Sequence, residues 1–137
     1  MKIYIGNRKI EDESYQVITE PTVLNYLAED AECTVIVFDG VLRRYKLPDV
    51  QQIIQLAYKK LRIGGILKIV DVDFDLLLYA YQRNGNLVEL NGAIFNNDIG
   101  SFLNIDIVDT ILKQFNDLTK NSQRIQNIEF DMEFIRK

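Results

Sequence analysis

Between residues 33 and 75 the spacing of apolar and polar positions changes repeatedly, marking out a strand, a helix, a second strand and the start of a further helix. Cys33-Thr-Val-Ile-Val-Phe38 is an apolar, β-branched run without alternation, the pattern of a strand buried on both faces, and Asp39-Gly40 ends it. From Pro48 to Leu61 the apolar residues fall at Val50, Ile53, Ile54, Leu56, Ala57 and Leu61, with Gln51, Gln52, Gln55, Lys59 and Lys60 on the other face. That spacing predicts an amphipathic helix. Pro48 suits its first turn, Lys59, Lys60 and Arg62 complement the dipole at its last turn, and Gly64-Gly65 is expected to stop it. Ile66-Leu-Lys-Ile-Val70 is the second strand, closed by the acidic run Asp71-Val-Asp-Phe-Asp75. Strand, helix and strand in this order imply a parallel crossover with the helix packed on the sheet.

The flanking segments extend this unit in both directions. Lys2-Ile-Tyr-Ile5 alternates and stops at Gly6-Asn7, and Tyr15-Gln-Val-Ile-Thr19 is a further strand ended by Glu20-Pro21. Thr22 to Ala28 reads as a short helix or helical turn. Beyond the crossover, Asp73 or Asp75 caps a helix that runs to Tyr81 and ends at Asn84-Gly85-Asn86. Leu87 to Leu103 reads as a long loop or lid-like insertion containing one helical turn, since Asn91-Gly92, Asn96-Asn97-Asp98 and Gly100-Ser101 interrupt it. Asn104 or Asp106 caps a last helix reaching Phe115. In Ile125 to Ile135, Ile128, Phe130, Met132 and Phe134 alternate with Glu129, Asp131 and Glu133, which fits an antiparallel strand at or near a sheet edge. The order predicts an α/β domain over residues 1–137, with a mostly parallel sheet and an antiparallel C-terminal strand.

Composition narrows the chemistry. The chain has 137 residues, 47% of them hydrophobic and 26% charged, and its net charge of −4 argues against nucleic-acid binding through a broad basic field. It lacks the roughly 20-residue apolar run of a membrane span, and its N-terminus has no signal-peptide core, so a cytoplasmic protein is expected, in a host cytoplasm if the source is viral. A lone cysteine, Cys33, leaves no internal disulfide, and heading a buried strand it reads as a packed thiol. No histidine occurs, which removes the commonest general base and the Ser-His-Asp and Cys-His arrangements. Asp71, Asp73 and Asp75 alternate like metal-binding carboxylates, yet they straddle a strand end and a helix start, where caps are expected, and no metal site is assigned. Arg43, Arg44 and Lys46 around Tyr45 form the one basic patch with an aromatic, either a phosphate or acidic-partner site or a solvated loop. Asp39-Gly40 closes a central strand at the end where ligands bind in open α/β sheets, although an Asp-Gly turn needs no ligand to explain it.

Leu61-Arg-Ile-Gly-Gly-Ile-Leu-Lys-Ile-Val-Asp-Val-Asp73 resembles the "vLkPGGiLri.vPD" segment of the short, type 11-like class I S-adenosylmethionine-dependent methyltransferases. The likeness runs through nearly the whole chain: Met1-Lys-Ile-Tyr-Ile-Gly6 sits where "MkLhiG.G" opens that family, Tyr15 to Thr19 where "gy.niD" follows, and the end of the chain matches its last helix and closing antiparallel hairpin. The resemblance implies a Rossmann-like methyltransferase sandwich and S-adenosylmethionine as cofactor. It also implies that Gly6 and Asn7, in the loop after the first strand, Glu20 after the second, and Asp39 and Gly40 after the third line the cofactor site, with no catalytic residue assigned. This sequence departs from the family pattern in three places. The first loop, Gly6-Asn-Arg-Lys-Ile10, has one glycine followed by bulky charged residues; Thr19 stands where the family has a ribose-binding acid; and Asp39 to Tyr45 replaces an "H-x-L-E-H"-like turn. Two functional expectations follow: methyl transfer to a small-molecule or macromolecular acceptor, or a non-catalytic methyltransferase-like module for binding or assembly, viral in one version. For the second, a protein partner or a homo-oligomer is expected, through Tyr45, Phe95 and Phe102 or through the last strand as a free edge.

Overall fold

The computed structural model describes residues 1–85, 87–95 and 99–137, and within them the side chains of all but residues 84, 89, 93 and 95. Six strands make one sheet: β1 (Lys2–Gly6), β2 (Tyr15–Ile18), β3 (Cys33–Asp39), β4 (Leu61–Val72), β5 (Leu118–Gln126) and β6 (Glu129–Arg136). Their spatial order is β2-β1-β3-β4-β6-β5. The first four are mutually parallel, β6 runs antiparallel to β4, and β5 runs antiparallel to β6. The predicted α/β architecture, mostly parallel with an antiparallel end, is therefore present.

The helices are α1 (Leu24–Leu27), α2 (Leu47–Lys60), α3 (Phe74–Asn84), α4 (Leu87–Phe95) and α5 (Ile105–Leu112). Alternation decides what they cover. Ile3, Ile5, Ile36, Phe38, Leu67, Ile69, Phe130, Met132 and Phe134 project from one face of the sheet into a single core with Leu24, Val50, Ile54, Val108 and Leu112 from α1, α2 and α5. Right-handed crossovers that step in opposite directions along a sheet lie on opposite faces. The β3-to-β4 connection carries α2, so the β1-to-β2 connection, stepping the other way, runs over the other face. It consists of residues 7–14 with no helix, shorter than parallel crossovers usually are. With no helical residue to fill it, the face beneath becomes the floor of a 420 Å³ trough, including Tyr4, Val37 and Val70, with Ile10 and Arg124 among the residues that line it.

Four elements differ from the sequence reading. Gly64-Gly65 does not stop α2, which ends at Lys60 and passes directly into β4 at Leu61. Instead, Cys33 pairs with Leu61 and Val35 with Ile66, so residues 62–65 swing out of the ladder through Gly64 at φ +82° and leave Ile63 71% exposed. The stretch expected as a loop contains α4, nine residues long, where the Asn91 side-chain amide donates to the Leu87 carbonyl inside the helix; residues 96–98 of that stretch lie outside the described residues. The last helix stops at Leu112 rather than Phe115. Finally, β5 was not legible in the pattern, because residues 119–124 between Leu118 and Ile125 are all polar. Its presence means that β6 is not a sheet edge, since β5 pairs along its outer side. Among the described residues no helix is long and apolar enough to cross a membrane.

Fully buried Ile69 at the centre of the sheet and exposed Ile63 in the excursion test this assignment. Ile69→Ala is expected to lower the stability measured by urea unfolding by about 2–5 kcal/mol. Ile63→Ser should stay within about 0.5 kcal/mol of the parent chain.

Candidate functional site

Parallel pairing brings the carboxyl ends of β1, β3 and β4 to one edge. Gly6 lies opposite Asp39, Asp39 opposite Val70, and the Gly40 N–H extends the ladder by donating to the Val70 carbonyl at 2.8 Å. A groove of 190 Å³ opens there, lined by Asn7, Arg8, Asp39, Gly40, Arg43, Asp71 and Glu129. At its base the Tyr4 hydroxyl donates to Asp39 Oδ2 at 2.5 Å. Burial, and then the Asp39 carboxylate, push the Tyr4 phenol up to about 12. Arg8 reaches in from the short β1-to-β2 connection. Its Nε lies 3.6 Å from Asp39 Oδ2, and its Nη2 donates to both oxygens of Glu129 at 2.8 and 3.0 Å. The two carboxylates, Asp39 first, hold the Arg8 guanidinium more firmly protonated than usual.

Gly6 answers to packing at this point. A Cβ there would sit 2.9 Å from the Asp39 carbonyl oxygen and 2.9 Å from the Tyr4 hydroxyl, closer than real Cβ contacts come. Only glycine lets the end of β1 approach the end of β3 this closely.

Asp71 is the most enclosed acid of the groove, with a fully buried side chain. Its Oδ2 accepts from the Arg43 N–H at 3.3 Å, its Oδ1 accepts from the Val72 N–H at 2.8 Å, and Arg43 Nη1 stands 3.5 Å from Oδ1. Burial dominates the outcome, raising the carboxyl to about 6 even though Arg43 and the two backbone donors pull it down. Of its expected companions, Asp73 caps α3 by accepting from the Leu76 N–H, and Asp75 accepts from the Asn104 amide. The three acids thus have separate tasks.

The sequence-derived candidates separate into two places. Asn7, Asp39 and Gly40 line the groove, and Gly6 supports it from below. Glu20 sits elsewhere, with its Oε2 accepting from the Tyr45 hydroxyl at 2.7 Å, while Arg44 Nη2 donates to the Thr19 carbonyl at 2.9 Å. Burial, then Glu20, raise the Tyr45 phenol to about 12. Tyr45 packs against the core instead of standing free as a contact aromatic, whereas Phe102 is exposed, at 45%, while it stacks on Phe74 with centroids 3.8 Å apart. The side chain of Phe95, the third of that set, lies outside the described ones. Tyr4 and Glu129 were missed. Their signal was weak, because a tyrosine inside a strand and a glutamate opening one read as ordinary sheet residues.

The Asp71 carboxyl makes stability depend on pH. Its folded-state value near 6 lies above the roughly 3.9 of an unfolded aspartate, so the folded chain holds this proton longer than the unfolded chain does. Its contribution is therefore fully present below pH about 4 and is lost as pH rises to about 6, by an amount on the order of 3 kcal/mol. In urea unfolding from pH 4 to 7, Asp71→Asn is expected to remove that fall, so that the variant gains on the parent chain as pH increases.

No family model matches the sequence, and no curated protein matches it. Solved structures do match in fold. The PH0226 protein of Pyrococcus horikoshii OT3 superposes with a TM-score of 0.63 at 14% identity, over 90% of this chain and 59% of its own. A SAM-dependent methyltransferase of Thermotoga maritima gives 0.62 at 12% identity, over 90% of this chain and 64% of its own. A Sulfolobus solfataricus protein assigned to the type 11 methyltransferases gives 0.54 at 13% identity, over 93% of this chain and 61% of its own. This chain thus spans about three-fifths of the length of these proteins, and its fold is that of the class I S-adenosylmethionine-dependent methyltransferases.

Proposed function

We propose that this chain is a non-catalytic methyltransferase-fold module that works by binding. The observation that carries this reading is the state of the polar atoms where the fold would hold S-adenosylmethionine, which are largely engaged by the chain's own donors. Arg8 and Tyr4 occupy Asp39, Arg8 occupies Glu129, Tyr45 occupies Glu20, and Arg44 occupies the Thr19 carbonyl. No helix follows β1 to present a row of free backbone N–H groups. As they stand, these residues do not fit the cofactor. The trough supports a binding role, because mostly parallel sheets ordinarily have both faces covered.

The ion pairs of Arg8 do not close the groove by themselves. Its side chain is 62% exposed, and exposed pairs contribute about 0–1 kcal/mol each, so opening both costs a ligand roughly thirtyfold in affinity at most. The missing ribose acid at Thr19 and the missing helix point the same way as the engaged polar atoms. Methyl transfer is the second reading, favoured by one atom: Asp39 Oδ1 is buried at the groove with no hydrogen-bond partner among the described residues.

Calorimetric titration with S-adenosylmethionine and with S-adenosylhomocysteine separates the two. The binding-module reading expects no saturable heat with the parent chain at millimolar ligand, and at most weak binding by Arg8→Ala. Micromolar binding by the parent chain would overturn it in favour of methyl transfer.

A further inference from the structure

The sheet face left bare by residues 7–14 divides into an apolar part and a charged part. Its rows follow from the ladder: Val17, Tyr4 and Val37 stand side by side across β2, β1 and β3, and Val35 stands beside Ile66 across β3 and β4. With Val70, further along β4 on the same face, they make one apolar band over four neighbouring strands. Val35, Ile66 and Val70 are only half-buried although β3 and β4 lie at the centre of the sheet, and Val17 is 55% exposed. Past Ile135, β6 and β5 turn polar and present Asp131, Glu133 and Arg124 on this face.

We propose that the band docks one amphipathic α-helix of a protein partner, apolar along the stripe that meets Tyr4, Val37 and Val70 and carrying carboxylates beside that stripe. This names the partner for the binding role put forward above and rests on that reading for its purpose, while the docking itself is tested separately.

Dimensions select a single helix. Four strands about 4.8 Å apart span roughly 14 Å between the outer two, and five residues of strand run about 17 Å. A helix is about 10–12 Å across, and 17 Å of it is about three turns, so one helix covers the band. A second copy of the chain fits less well. A stable dimer buries roughly 800 Å² on each partner, and here most of that area would have to come from the charged strands β6 and β5.

Charge sets the flanks of the partner helix. Arg8 holds Asp39 and Glu129, and Lys68 holds Asp131 at 3.3 Å. Among the described residues two cations on this face have no ion pair. Lys2 has its Nζ 5.5 Å from the centre of the Tyr15 ring and lies level with Val35, at the amino end of the parallel strands. Arg124 lies opposite Asp131, level with Val70 at their carboxyl end. Glu133, also outside any ion pair, accepts from the Asn121 amide at 3.3 Å. The open face therefore favours carboxylates, although the net charge of −4 on the chain as a whole favours a basic partner.

The test uses the full chain and two synthetic peptides of about three helical turns, each cross-linked on its outer side so that it is helical before binding. Both carry leucine along one stripe; one has glutamate beside the stripe and the other lysine. The methyl resonances of Val17, Val37, Ile66 and Val70 are expected to shift saturably with the glutamate peptide, and the lysine peptide to bind about two- to fivefold more weakly. Arg124→Glu should reverse that order. Val17→Asp, at an exposed position, should weaken both peptides with an unchanged circular dichroism spectrum. Micromolar binding of S-adenosylmethionine, titrated separately, overturns the binding-module reading alone. The docking proposal is overturned by an absence of saturable shifts with both peptides or by equal or reversed preference between them. It is overturned equally if concentrating the chain by itself shifts the same methyls and sedimentation shows a dimer, which assigns the face to a second copy.

Discussion

One residue pair fastens three parts of this molecule. Asp71, at the end of the central strand, accepts from the backbone N–H of Arg43 and faces its guanidinium, while the Arg43 carbonyl receives the N–H groups of Gly100 and Ser101. The turn after β3 is thereby pinned to β4 on one side and to the segment entering α5 on the other. The groove has Arg43 as a wall because it is built against this pin. Burial makes the arrangement costly for a charged Asp71, and pairing only partly offsets that cost. Such a pair is better explained by the geometry it enforces than by the stability it adds.

The same logic accounts for the division between an ordered edge and an uncovered face. Parallel pairing requires connections that cross the sheet, and two of the three parallel connections here carry helices whose apolar stripes fill one side. The third, residues 7–14, is too short to carry one. It spends its reach delivering Arg8 to Asp39 and Glu129, and what it fails to cover becomes the trough.

Legibility in the sequence followed the kind of signal each element carries. The β3-α2-β4 crossover could be read because unbroken apolar runs and a helical stripe are local patterns, and the terminal strand because Phe130, Met132 and Phe134 alternate with acids. β5 could not, since the inner side of its ladder is completed by β6 and its own side chains face largely outward. Gly64-Gly65 was misread because a glycine pair signals a backbone departure without saying which one, and here the strand leaves its ladder and returns. In the groove, Asp39 was visible as the end of a buried strand. Its partners were not, because Arg8 and Glu129 stand 121 positions apart in the chain and meet only once it has folded. Glu20 was placed near a cofactor by analogy of position, and the phenol that claims it, Tyr45, comes from a turn whose path the pattern does not describe.

The position of β6 between β4 and β5 bears on how the sheet assembles. β4 meets β3 across a single helix, but its other side pairs from Ile66 with Ile135 to Val72 with Glu129, partners some sixty residues downstream. Until that late segment arrives, β4 has a row of unmet N–H and C=O groups along one side. The closing step is the capture of a hairpin, limited by long-range loop closure more than by local propensity. Arg136 secures that capture in the folded state: it donates to the Tyr58 and Leu61 carbonyls at 3.2 and 2.6 Å and pairs with Asp117 at 3.1 Å, so the hairpin, once docked, latches onto the seam where α2 becomes β4.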